Sequence, residues 1–104
     1  MNTKKLSGSR KYLTELRGGP LTFGQMIEST RLADEISQVD LARKMKISRA
    51  HLCDIEKGRR LVGPERAALF AKVLGYSPHQ FVSVAIEDQL RKAGMSLKVI
   101  LKAA

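Results

Sequence analysis

Apolar residues recur at helical spacing through most of this chain, and glycines, prolines and capping residues cut the pattern into segments. Residues 1–8 are polar. Ser9 is placed to cap a short helix with Tyr12, Leu13 and Leu16 on one face, stopped at Gly18-Gly19-Pro20. Thr22 and Gln25 form a T-x-x-Q capping box. It opens a helix whose apolar stripe is Phe23, Met26, Ile27, Thr30 and Leu32, to about Ala33. Ser37 caps a short helix that turns Leu41, Ala42 and Met45 inward. The pattern breaks at Ile47-Ser48, and Ser48 caps a third helix over 49–57, with Leu52 and Ile55 on its buried side. Gly58 follows as a left-handed C′ residue. Beyond a basic loop, Pro64 sits in the first turn of a fourth helix carrying Ala67, Ala68, Phe70, Ala71 and Leu74, and Gly75 ends it. Ser77-Pro78 repeats the cap-then-proline start for a fifth helix through Phe81, Val82, Ala85, Ile86 and Leu90 to about Ala93, closed by Gly94.

After Gly94 the period changes to two: Met95, Leu97, Val99 and Leu101 alternate with Ser96, Lys98, Ile100 and Lys102. A lone strand has no partner in an otherwise helical chain. Either this tail is disordered or it pairs with the same tail of a second subunit. There is no internal repeat and no low-complexity tract.

Composition narrows the class. A chain of 104 residues suits one domain, and 43 % hydrophobic residues suffice for a core. Aromatics are only 5 % and Trp is absent, so that core is mainly aliphatic. The net charge of +9 attracts polyanions, of which nucleic acid is the commonest. The charge is not spread evenly. Segments 1–21, 37–66 and 91–104 each carry a net +4, while 22–36 and 67–90 are slightly acidic. A single cysteine, Cys53, fits a reducing cytoplasm. No apolar run approaches the roughly 20 residues of a membrane span, and 1–17 lacks a secretory apolar core. The expected location is cytoplasmic.

Two short helices joined by a tight turn, the second capped by Ser and starting with small or polar residues, describe a helix-turn-helix. The second helix must rest on the first, so Leu41, Ala42, Leu52 and Ile55 are apolar. Its first residues must face a major groove, so Arg49, Ala50 and His51 are not large apolar groups. The stretch 38–60, QVDLARKMKISRAHLCDIEKGRR, resembles the Cro and phage-repressor (XRE-type) helix-turn-helix, close to S/T-Q-x-x-L-A-x-x-x-x-I-S-x-x-x-L-x-x-I-E-x-G-x-R. The resemblance runs over residues 22 to about 82. Lys46 stands where the family commonly has Gly, so it must accept a left-handed conformation at a cost on the order of 1 kcal/mol.

The resemblance implies an all-α, five-helix, lambda-repressor-like DNA-binding domain, placed over 22–94; the charge and period described above add a basic N-terminal arm (1–21) and a strand-like dimerisation tail (95–104). The resemblance also implies that Gln38 donates to a phosphate and that Ser48 and Arg49 face base edges or the flanking phosphate. A guanidinium at Arg49 suits bidentate reading of guanine. Ala50 and His51 are implied contacts to a thymine methyl or a phosphate, with Asp54 one turn further along the same face. Lys57, Arg59 and Arg60 would straddle the backbone. Arg31 and Glu56 correspond to a pair that in this family is structural.

Other constellations carry less. His51 and Cys53 have no second pair at ligand spacing, so no metal or other cofactor is expected. Cys53 reads as a small residue on the helix rim, His79 as a surface residue, and Glu87-Asp88 as solvent-facing. With no nucleophile–base pair and no phosphate-cradling glycine loop, an enzyme is not expected. The leading expectation is a homodimeric transcriptional regulator, a repressor whose two motifs meet successive major grooves of an operator about 34 Å apart. A chain this short resembles the HigA-like antitoxins, with 1–21 as the arm for a small toxin protein. The alternatives are a protein-interaction module and a non-specific nucleic-acid binder on the same fold.

Overall fold

The computed structural model describes residues 21–102. Within them the chain forms α1 (Phe23–Ala33), α2 (Gln38–Met45), α3 (Arg49–Glu56), α4 (Pro64–Leu74) and α5 (Pro78–Lys92), with no strand. The short helix expected over residues 9–17, and almost all of the basic arm, lie outside the described residues.

The first three helices begin where their capping chemistry dictates. Thr22 and Gln25 close the capping box, with the Gln25 N–H donating to Thr22 Oγ1 at 3.1 Å and the Thr22 N–H to Gln25 Oε1 at 3.0 Å. Ser37 Oγ accepts from the Asp40 N–H and Ser48 Oγ from the His51 N–H, each at 3.0 Å. Pro64 and Pro78 open α4 and α5, where a missing N–H costs nothing. Ser77 occupies the N-cap position of α5 but makes no capping bond; its hydroxyl lies 3.3 Å from His79 Nδ1 instead. The turn between α2 and α3 places Lys46 at φ 58°, ψ 42°, the left-handed geometry its position requires. The Lys46 and Ile47 amides reach back to the Arg43 and Ala42 carbonyls, each at 3.0 Å.

The three phenylalanines, one each from α1, α4 and α5, form the centre of the core. Phe23 meets Phe70 and Phe81 edge-on, with centroids 5.7 and 6.3 Å apart. Met26, Ile27, Leu41, Leu52 and Ile55 extend this core beneath α2 and α3. Full burial of one such side chain contributes roughly 1.5–3 kcal/mol. An exposed pair such as Arg43–Asp40 contributes about 0–1. The seating of the two motif helices therefore comes from the core and not from surface charge.

Two expectations from the sequence are corrected, at Leu32 and at Glu87-Asp88. Leu32 is 60 % exposed. The inward stripe of α1 runs through residues 23, 26, 27 and 30, and Leu32 lies two residues past it on the far side. Glu87 and Asp88 do not face solvent. Glu87 is buried and accepts the Val99 N–H at 3.0 Å. Asp88 continues the core stripe of Phe81, Val84 and Ala85, where the start of α1 arrives, and Asp88 Oδ2 accepts the Phe23 N–H at 2.8 Å. That contact satisfies one of the amides a helix start leaves unpaired, and Arg91 pairs with the other carboxylate oxygen of Asp88. Residues 95–102 form neither helix nor strand in the single chain, which offers no second strand to pair with. The Val99 amide is spent on Glu87, Val99 and Leu101 are half-buried, and Met95, Leu97 and Ile100 are exposed.

Gly24 sets how closely α1 approaches the end of α3. A Cβ there would lie 2.2 Å from the Ile55 carbonyl oxygen and 2.7 Å from that of Glu56. Both obstacles are backbone and cannot rotate away. Gly24→Ala is expected to lower stability by about 2 kcal/mol in urea denaturation, the overpacking cost outweighing the better helix propensity of Ala. An unchanged midpoint would show that α1 and α3 are not in contact here.

Candidate nucleic-acid interface

The motif is built on apolar contact. Leu41 and Ala42 on α2 and Leu52 and Ile55 on α3 are at most 3 % exposed, so the small Ala42 side chain is covered by the second helix. A buried polar network then fixes the far end of α3. Arg31 Nε donates to Glu56 Oε2 at 2.8 Å and its NH2 to Oε1 at 3.2 Å, a two-pronged pairing. The remaining Arg31 nitrogen donates to the Ile36 carbonyl at 3.0 Å. Gln38 Nε2 adds a third donor to Glu56, at 2.8 Å. The network ties α1, the loop before α2, the first residue of α2 and the last residue of α3 into one unit. Arg31 and Glu56 thus have the structural arrangement that the sequence suggested for them.

With its buried side fixed, α3 presents its first turn outward. Ser48, Arg49 and Ala50 are exposed and His51 is half-exposed. Arg49 has no acidic partner among the described residues, and the same holds for Lys57 and Arg60 at the other end of the helix and in the following loop. Arg59 differs. Its Nε donates to Asp54 Oδ1 at 2.9 Å, and its NH2 lies 3.8 Å from Cys53 Sγ. Asp54 and Arg59, both read from the sequence as DNA-facing, therefore neutralise one another. Gln38, read as a phosphate donor, spends one amide N–H on Glu56 and keeps a second.

One residue near the surface of α3 was not visible in the sequence pattern. Arg66, at the third position of α4, directs NH1 to His51 Nε2 at 3.2 Å. A guanidinium only donates, so Nε2 must accept, which makes the imidazole neutral with its proton on Nδ1. The surroundings favour that form. Desolvation first, then the positive charges of Arg60 and Arg66, push the His51 imidazole below its ordinary value, while Asp54 pulls the other way. In the sequence, Arg66 contributes only one more positive charge. Its meeting with α3 depends on how α4 crosses the motif, which no local spacing encodes.

Among the described residues no group of three His, Cys, Asp or Glu is placed to hold a metal ion. None of the described helices is long and apolar enough to cross a membrane.

Removing one partner of the Arg31–Glu56 pair would strand a buried charge. Arg31→Ala is expected to cost about 3–5 kcal/mol, and replacing both residues by Leu appreciably less. Guanidinium denaturation of the three proteins tests this; a cost of Arg31→Ala no greater than that of the double change would show that Glu56 is not buried unpaired.

The pattern of one protein family, described as helix-turn-helix, matches residues 27–81, from the middle of α1 to the start of α5. No curated protein matches the chain.

Proposed function

The chain belongs to the helix-turn-helix family of the Cro and phage-repressor (XRE-like) type, and from that premise we propose that it is a dimeric, sequence-specific transcriptional repressor reading DNA with the first turn of α3. One observation carries the reading: Arg49 is exposed, free of any acidic partner among the described residues, and mounted on the outward side of a helix whose inner side is fixed by core and ion pair. A cation so held is suited to guanine O6 and N7. Ser48 and Ala50 flank it, the second Gln38 N–H is offered to a phosphate, and Lys57 and Arg60 approach the backbone beside the groove. Arg59 joins them by releasing Asp54, or stays paired while Asp54 faces a base.

Dimerisation falls to α5 and the tail, whose Met95, Leu97 and Ile100 are uncovered in the single chain. An antitoxin role is the finer form of the same reading, supported by the basic, amphipathic sequence of residues 1–21.

The full chain should select one duplex from a randomised pool and prefer it over random DNA by roughly 10³-fold or more. Arg49→Ala should then cost about 1–3 kcal/mol on the selected duplex and far less on random DNA. Equal losses on both would overturn base reading and leave a non-specific binder. Removing residues 95–104 should convert dimer to monomer in sedimentation; an unchanged dimer would overturn the role of the tail.

A further inference from the structure

We infer that Arg66 of α4 is a further DNA-phosphate contact, held in place by His51, so that the interface extends beyond the two helices of the motif. This rests on the DNA-binding reading above and makes His51 a positioning residue, where the resemblance implied a DNA contact.

Four observations converge on Arg66. Its side chain is tethered to the first turn of α3, one residue from Ala50 and two from Arg49, by the bond to His51 Nε2. The tether spends one guanidinium N–H and leaves the others for an oxygen ligand. Arg66 has no acidic partner among the described residues, and Asp54, the acid that faces His51, is occupied by Arg59. Arg60 and Arg66 thus bring two positive charges to one imidazole from a loop and a separate helix. Such a grouping is self-repulsive in the free protein and is relieved by a polyanion. The position of Arg66 also does nothing for its own helix. A cation in the first turn of α4 opposes the helix dipole, whereas Glu65 beside it has the favourable sign.

His51 serves this contact by accepting. Neutral, it holds NH1 and limits the swing of a long side chain. Accepting from Arg66 commits Nε2 to the guanidinium and leaves only the Nδ1–H, on the other side of the ring, to donate.

The test uses the full chain, a duplex it has selected from a randomised pool, and a random duplex of equal length. Arg66→Ala should weaken binding by a similar factor on both duplexes, and reduce the slope of log K against log salt by about one. His51→Ala should weaken binding as well. Adding it to Arg66→Ala should cause no further loss, because the two act as one unit. His51→Gln, whose carbonyl oxygen can also accept from Arg66, should restore most of the affinity. In the free protein, NMR titration should place the His51 midpoint higher in Arg66→Ala than in the wild type, since a positive neighbour and a donor to the neutral ring are both lost. An unchanged salt slope for Arg66→Ala would overturn the phosphate contact. Additive losses for the two alanine variants, or an unmoved His51 midpoint, would overturn the positioning role. A wild-type chain that retains no duplex would overturn the DNA reading first, and this contact with it.

Discussion

The bidentate pairing of Arg31 with Glu56 is the interaction on which the interface geometry depends. Both side chains are withdrawn from water, and each satisfies the other while Gln38 and the Ile36 carbonyl take up what remains. A buried ion pair is a poor source of stability compared with apolar packing of the same volume. Its value lies in direction. The apolar contacts of Leu52 and Ile55 carry no directional preference, whereas a guanidinium and a carboxylate meet in one orientation. The pair therefore fixes the end of α3 in rotation and translation, and with it the outward aim of Arg49 about two turns earlier.

The close approach at Gly24 works on the same joint from the backbone. Without a side chain at that position, α1 rests directly on the last carbonyls of α3, so the ion pair spans a short gap and needs no long reach. Core, glycine and ion pair act in series: the first brings the helices together, the second sets their distance and the third sets their angle. The surface of α3 is then free to carry groups chosen for a ligand. That is where its uncompensated cations are found, alongside the Arg59–Asp54 pair, which tempers the local charge.

Much of this was legible in the sequence. Capping residues and prolines marked the helix starts and glycines several of the stops, because those signals act over three or four residues and need no tertiary context. Arg31 and Glu56 were recognisable only through the resemblance, since nothing local joins residues 25 positions apart. Glu87 and Asp88 were misread for the matching reason. An acidic pair on a helix looks solvent-facing until the amides of Phe23 and Val99, brought in from the first helix and from the tail, supply partners. Leu32 was drawn into a stripe because it is apolar, although its angle around the helix excludes it. Arg66 was passed over as charge without address, its address being a crossing of two helices.

The bond from the Phe23 amide to Asp88 joins residues 65 positions apart, and it encloses the whole helix-turn-helix between its two ends. The recognition helix is thus local in sequence but not self-supporting. Its seat is completed only when α5, synthesised after the motif, returns to clasp α1. A fragment trimmed to the motif and its immediate neighbours would keep every residue proposed to face DNA and lose the closure that holds them. On the ribosome, the reading head of this protein would remain unfinished until the chain had emerged past residue 88. Folding of the domain and competence to bind would then arrive together, as one cooperative event.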